Sequence, residues 1–321
     1  MNGKIKRLYK NFFIKNYNII CKIEEPIIFP TYKGSVLRGA FGRNLKRVSC
    51  LNKEEKDCLN CIFKKGCVYF YLFENGIQNE ESQFLENIKF RPHPFIIEPP
   101  LIDKNEYSSG ETFSFNIILI GLRTDSYLPF IISALIKMGE YGLYKTGEGK
   151  FILERIKTID SKTIYTLKDG LILDKDNESD LLKEKIYRKK FNKIEINFLT
   201  PTRVVHRGKY SSNINFYVFM KSILHRFFTL SSLYNNFEMN IDKDILSKSK
   251  LIEIESSNIN WYDWETFSGR QKTEIKLGGV IGEIIYTGDI TSFLPLITIG
   301  KHIHIGKNTS YGLGKYNYFL L

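Results

Sequence analysis

Four cysteines fall within 18 residues: Cys50, Cys58, Cys61 and Cys67, spaced C-x7-C-x2-C-x5-C. A Cys-x-x-Cys pair lets two thiolates grip one ion, and two further thiolates complete a tetrahedral set. The expected occupant is a structural zinc ion, although four thiolates also suit an iron–sulfur cluster and unligated thiols are the plain alternative. The spacing is not one of the standard finger patterns. A catalytic metal is not expected there, because a full thiolate set leaves no position open for water. The fifth cysteine, Cys21, stands alone in an apolar run and reads as a core residue.

Proton transfer near neutral pH would fall to imidazole, and the chain has five histidines. His93 lies between two prolines and reads as structural. His225 sits beside Arg226 on a predicted helix, off its apolar stripe. His206 lies in the basic stretch Arg203-Val-Val-His-Arg207-Gly-Lys209, where it could meet phosphate. His302 and His304 alternate with Ile303 and Ile305, which places both on one face of a predicted strand. Arg38, Arg43, Lys46 and Arg47 fall in a predicted helix from about Gly34 to Ser49. Arg43 and Arg47 are four apart and share a face, opposite Leu37, Phe41 and Leu45. That face is either a phosphate track or simply solvated. Trp261, Tyr262, Trp264 and Phe267 could stack unpaired bases, but the interleaved Asp263 and Glu265 favour a structural role.

The elements that must position these residues come from a repeat. Leu128-Pro129-Phe130-Ile131 recurs 166 residues later as Leu294-Pro295-Leu296-Ile297, and each opens a helix-like segment behind an acidic cap candidate, Asp125 or Asp289. Each segment runs into a glycine-rich turn that ends Gly-x-Gly-Lys-aromatic, at Gly147 to Phe151 and at Gly312 to Tyr316. The second turn, 306–314, contains Gly306, Gly312 and Gly314, with Lys307 and Lys315 as phosphate-binding candidates. Its amides could point at phosphate, or it could merely close the fold. It is no nucleotide-binding P-loop, since it ends a helix and precedes a strand. Alternating runs near 11–24 and at Phe113, Phe115, Ile117 and Leu119 read as strands. So do Ile194 to Leu199 and the stretch around Glu274–Tyr286, whereas Phe216 to Phe227 shows helical spacing. Strand–helix–strand–strand–helix–strand, twice over, predicts an α+β chain of two tandem ferredoxin-like (RRM-like, βαββαβ) domains. They span 1–185, with the small four-cysteine insertion at about 50–67, and 186–321, with the glycine-rich loop. The charged run Asp174–Lys185 marks the boundary.

Composition sets the outer limits. The 321 residues carry a net charge of +12 and 43% hydrophobic residues, which excludes global disorder and points to a polyanionic partner. An AT-rich genome, which raises Lys, Asn and Ile together, is the blander source of that charge. No apolar stretch approaches the roughly 18 residues of a spanning helix, and the N-terminus lacks an apolar core before a cleavage site. The expected address is cytoplasmic, with no membrane partner. No acidic constellation suggests a Mg²⁺ nuclease, and no Gly-x-Ser-x-Gly elbow suggests a hydrolase.

The terminal motif G-K-N-T-S-Y-G-L-G-K-Y resembles the glycine-rich loop of the RAMP (repeat-associated mysterious protein) superfamily of CRISPR systems. More narrowly, it resembles the endoribonuclease that cuts the CRISPR repeat RNA precursor. Supporting segments occur in family order: Gly34-Ser-Val-Leu-Arg38-Gly-Ala-Phe-Gly42, the four cysteines with Phe73-Glu74, Arg91-Pro-His-Pro, Thr200-Pro-Thr-Arg203, and Trp261 to Gly282. The resemblance implies tandem ferredoxin-like domains and cleavage within a repeat that needs no metal cofactor. The products would be a 2′,3′-cyclic phosphate and a 5′-hydroxyl, and the mature guide RNA would be retained. Read from their charge and placement, Arg38, Arg43, Lys46, Arg47, Arg203, Arg207, Lys307 and Lys315 are the candidate contacts for that RNA. Many members carry a histidine near the first helix, and this chain has none before His93. The catalytic candidates are therefore His206, His304 and Tyr32; alternatively, Tyr32, Lys33 and nearby arginines act mainly by orienting and electrostatically stabilising the RNA. The alternative is a non-catalytic RAMP subunit that binds the repeat-derived tag of guide RNA in a multi-subunit effector complex.

Overall fold

The computed structural model describes residues 2–74, 91–172, 178–187, 189–236, 244–263, 265–268 and 273–321. Trp264 and residues 174–177 of the expected boundary lie outside them, as does the side chain of Phe267. The chain divides into two units. One comprises Phe13–Asp180 with Leu233–Asn235; the other comprises Met1–Phe12, Leu181–Ser232 and Asn236–Leu321.

The Phe13–Asp180 unit is built on β1 (Ile14–Ile23), β3 (Phe95–Glu98), β5 (Thr112–Ile120) and β6 (Phe151–Thr158), with β2 (Ile27–Ile28) pairing β4 (Glu106–Tyr107) beside them. The sheet order is β3-β5-β1-β6, extended by β7 (Thr163–Thr166) and β8 (Gly170–Leu171). Its crossover helices are α2 (Gly34–Ser49) and α4 (Leu128–Tyr141), and a short α3 (Val68–Phe73) packs on α2. Leu37, Phe41 and Leu45 of α2 and Leu135 and Met138 of α4 are fully buried, as helical spacing requires. Phe113, Phe115 and Ile117 are likewise buried at alternate positions of β5.

The second unit repeats the plan with β9 (Lys193–Thr202), α5 (Phe216–Tyr234), β12 (Glu253–Tyr262), β15 (Gly279–Thr287), α7 (Leu294–Ile303) and β16 (Tyr316–Leu320). The sheet order β12-β15-β9-β16 is the same order found in the first unit, as the ferredoxin-like arrangement demands. Two ribbons, β10 (Val204–His206) with β11 (Lys209–Ser211) and β13 (Glu265–Ser268) with β14 (Thr273–Lys276), stand outside that sheet, and α6 (Ile245–Ser249) precedes β12. The core is aromatic: Phe216 meets Phe293 at 5.0 Å and Tyr286 at 5.1 Å, and Phe219 meets Tyr316 at 5.2 Å. Each such ring contributes about 2–3 kcal/mol by burial.

Three expectations need correction. The opening helix α1 (Asn2–Asn11) belongs with the second unit, not the first. Tyr9 donates to the Pro295 carbonyl, and the Phe12 ring lies 4.8 Å from Phe227. Asp125 and Asp289 do not cap the helices. Each helix instead follows a single 3₁₀ turn, with proline in its first turn supplying a preset φ. His302 and His304 are not on a strand. Thr298 to Ile303 is the second half of α7, and His304 ends it.

Candidate nucleic-acid interface

In the first unit, the predicted basic helix forms as α2, and the unit's own groups hold its cations. One Arg38 nitrogen lies 3.0 Å from His93 Nε2, and its guanidinium stands 5.1 Å from the Phe73 ring. The other nitrogen of His93, Nδ1, donates to the Leu72 carbonyl at 3.0 Å, which leaves Nε2 to accept from Arg38. Arg43 donates to the Leu143 carbonyl at 2.7 Å. Lys46 lies over Tyr69 at 5.3 Å, and Arg47 stacks 3.8 Å from the Tyr141 ring. Aromatic faces and carbonyl oxygens hold a cation without cancelling its charge, so these contacts fix the helix face and leave it positive. Burial, with Arg47 alongside, lowers the Arg43 pKa. At the helix start, Lys33 donates to Asn105 at 2.8 Å and is buried. Burial of the Tyr32 hydroxyl, with Glu98 nearby, pushes its pKa well above the usual phenol value. A phenol held protonated is a poor general base at neutral pH, so Tyr32 fits an orienting role better than a catalytic one.

In the second unit the glycine-rich loop is fastened to the end of β9. Thr200 Oγ1 donates to the Gly312 carbonyl at 2.9 Å and accepts from Lys315 N–H at 2.9 Å. Gly314 N–H donates to Pro201 O at 3.1 Å, and Lys307 N–H to Arg203 O at 2.9 Å. Gly314 has φ +74, and a Cβ there would run into the Ile305 carbonyl, so the position admits glycine only. Arg203 is buried: Nε donates to Gly278 O at 2.7 Å, and its guanidinium covers Tyr210 at 4.4 Å. Its first role is therefore to clamp the loop to the ribbon, not to meet phosphate.

Two expected catalytic or flanking histidines are also structural. His304 is fully buried at φ +59, and its Nδ1 donates to Leu313 O at 3.0 Å. It is packed into the loop and does not face solvent, so it cannot serve as the base in this arrangement. His302 Nε2 lies 2.6 Å from Glu184, which also takes Lys301 at 2.8 Å. Burial alone would raise the Glu184 carboxyl, but those two partners hold it down to about 2.

Two histidines, the half-buried His206 and the exposed His225, are left near solvent beside cations. His206 comes from the ribbon. It ends β10 at the two-residue turn Arg207-Gly208, both at positive φ, opposite Lys209. The ring is half-buried, its Nδ1 has no hydrogen-bond partner, and it meets Tyr217 edge-on at 6.4 Å. Lys221 and Lys250 flank the same Tyr217 ring at 5.9 and 5.4 Å. One turn further along α5, burial lowers the pKa of His225, as do the charges of Lys307, Lys221 and Arg226. Tyr217, Lys221 and His225 are spaced i, i+4, i+8 and so form one stripe. That stripe runs from the ribbon towards the exposed Lys307 of the glycine-rich loop. The sequence reading did not single out Tyr217, Lys221 or Lys250. Their signal was the polar side of a helix whose apolar side was recognised.

At the end of β12, Trp261 donates to Asp263 at 2.7 Å, and Trp261 and Tyr262 are both exposed. The four cysteines form no disulfide. Among the described residues no three cysteine, histidine or acidic side chains are already gathered to hold a metal ion, and no helix is long and apolar enough to cross a membrane.

The chain thus consists of two ferredoxin-like units, each closing on helix, glycine-rich turn and strand, with a cationic stripe beside the second turn. Residues 12–179, more than half the chain, match the AF_1859_N N-terminal domain family, to which the chain belongs, and residues 196–316 match the CRISPR-associated endoribonuclease Cas6 model. The C-terminal part of the chain is thus similar to Cas6, and the fold is shared with solved Cas6 structures. No curated protein matches it. Among solved structures, a Cas6 product complex shares the fold at TM-score 0.56 and 16% identity, over 96% of this chain and 100% of that one. Thermus thermophilus Cas6 does so at 0.52 and 14%, covering 96% and 99%. A chain of a partial Cas6-RT-Cas1–Cas2 complex matches at 0.56 and 15%, over 97% of this chain. The present chain spans 46% of that longer one.

Proposed function

We propose that this chain is an endoribonuclease that cuts CRISPR precursor RNA within its repeat, by attack of a ribose 2′-hydroxyl on the adjacent phosphate. The observation that carries the reading is the stripe His206–Tyr217–Lys221–His225 beside Lys250 and Lys307, on the domain that matches the Cas6 model. In this mechanism His206 takes the 2′ proton as the 2′ oxygen bonds to phosphorus. The bond from phosphorus to the 5′ oxygen breaks and that oxygen takes a proton from solvent water, giving a 2′,3′-cyclic phosphate and a 5′-hydroxyl. Lys221, Lys250 and Lys307 offset the charge that develops on the phosphoryl oxygens. Nothing in these steps calls for a metal ion, since base, nucleophile and charge stabiliser are all supplied. The α2 face, with its fixed cations, is a second RNA contact, and the two together favour retention of the mature guide RNA.

A second reading is a non-catalytic subunit that holds the repeat-derived tag of guide RNA in an effector complex. The enclosed His304 and the raised Tyr32 hydroxyl favour it, because they leave few groups for acid–base work. Incubation of the purified protein with its cognate repeat RNA in EDTA separates the two. Cleavage that survives EDTA, stops with a 2′-deoxy substitution at the cut site and falls at least 100-fold in His206→Ala supports the enzyme. Tight binding with intact RNA supports the holder.

A further inference from the structure

The excursion between α2 and α3 has no core of its own. Cys50 ends α2, its N–H donating to Lys46 O, and Cys67 caps the start of α3. Between them, residues 51–66 bury no side chain, and Leu51 and Ile62 are each 80% exposed, with Leu59 and Phe63 also outward. Only local polar contacts shape it. Asp57 accepts from Leu59 N–H at 2.9 Å and Asn60 at 2.8 Å, and Lys64 donates to Leu59 O at 2.6 Å. Its base, by contrast, is firm: the Phe73 ring packs so closely on α2 that a Cβ at Gly42 would meet it at 2.7 Å. All four cysteines are half-buried and unbridged. Lys46 and Cys67 lie close enough to Cys58 for their charges to act on it. A segment this long without buried apolar surface needs a cross-link to hold one conformation.

We propose that Cys50, Cys58, Cys61 and Cys67 bind one Zn²⁺ as a structural tetrathiolate. The four sulfurs are not yet gathered, so binding and closure of the excursion are one event. Four thiols and Zn²⁺ give a four-coordinate centre with Zn–S bonds of about 2.3 Å and release four protons. The segment that would carry this double negative charge has Lys53, Lys56, Lys64 and Lys65 against Glu54, Glu55 and Asp57, and Lys46 lies near Cys58. Closure would also fix the last turn of α2, which carries Lys46 and Arg47. The inference does not rest on the ribonuclease reading.

The test uses the full chain purified without chelator. Metal analysis should find one zinc per chain. Exchange with Co²⁺ should give thiolate-to-cobalt charge transfer and the visible bands of a tetrahedral site. Both signals should vanish in C58A/C61A and persist in Cys21→Ala. Should the double variant fail to fold, protease cleavage within residues 51–66 of the wild-type chain serves instead, and it should slow at least tenfold when Zn²⁺ is added to stripped protein. A wild-type chain with neither zinc nor cobalt bands would overturn the proposal, as would iron–sulfur absorption or cleavage indifferent to zinc.

Discussion

The two helix–turn–strand copies begin alike and end differently. Both helices open on Leu-Pro after a 3₁₀ turn, and both close on a residue with positive φ and extended ψ. In the first copy that residue is Gly142, at φ 78 and ψ 162, after a helix of 14 residues. In the second it is His304, at φ 59 and ψ 170, after only 10. The residue after each cap, Leu143 or Ile305, then bonds to the carbonyl of the last loop glycine, Gly149 or Gly314. The shorter helix is made up by a longer loop, which explains why the landmarks keep nearly the same offset. That longer loop carries a 3₁₀ turn, Thr309–Tyr311, and presents Lys307. The comparison separates architecture from function. Closing a ferredoxin-like unit requires the tight turn in both copies, but only the second adds a cation beside a stripe of tyrosine, lysine and histidine. The first unit ties its basic residues to its own rings and carbonyls.

The strongest test of that asymmetry is the glycine whose side-chain space is already taken. Gly314→Ala should cost more than about 3 kcal/mol, through clash with the Ile305 carbonyl added to a left-handed φ. Gly149→Ala, the matching position of the first copy, meets only ordinary van der Waals contacts at φ +76 and should cost only about 1–2 kcal/mol. Thermal or urea denaturation of the pair reads the difference, and equal costs would refute a tighter second loop. His304→Gly, which makes the second cap like the first, should lose about 2–3 kcal/mol through the deleted buried ring and its bond to Leu313. It should nevertheless leave the cleavage rate per folded molecule within a factor of about three; a loss of 100-fold would return His304 to the chemistry.

A smaller effect concerns acid. Glu184 has its carboxyl lowered from 4.5 to about 2 in the folded chain. A depressed carboxyl stabilises the fold above its unfolded pKa, and that contribution disappears as pH falls from about 4.5 towards 2. Wild type should therefore lose stability relative to Glu184→Gln across that interval, and parallel melting curves would show the His302–Glu184–Lys301 contact to be without consequence.

Much of this architecture was legible in the sequence. The Leu-Pro openings, the glycine turns, the alternation in β5 and the apolar spacing of α5 each stand where expected, because each is a local pattern with a local cause. The failures have causes as well. His302 to Ile305 alternates like a strand, yet the helix expected from Leu294-Pro295 runs on through Ile303, and helix continuation outweighs a short alternating run. The association of α1 with the second unit rests on Tyr9 and Phe12 finding partners nearly 300 and 215 residues away, which no local pattern encodes. At the site, Arg38 and Arg43 were visible as charges, but not their fixed partners His93 and Leu143. The Tyr217–Lys221–His225 stripe went unread because polar spacing on a helix usually means only solvent.

The central claim is that RNA is gripped by the second unit's stripe more than by the α2 face. The direct measurement is repeat-RNA affinity against salt concentration for wild type, K221A/K250A/K307A and R43A/R47A. Each lost phosphate contact on single-stranded RNA should reduce the slope of log K against log salt by about 0.7. The account predicts that the triple lysine variant flattens the slope by about 2 and that the arginine pair changes it by less than about 1. A lysine variant with the wild-type slope, beside an arginine pair that loses most of it, would contradict the account and place the RNA on α2.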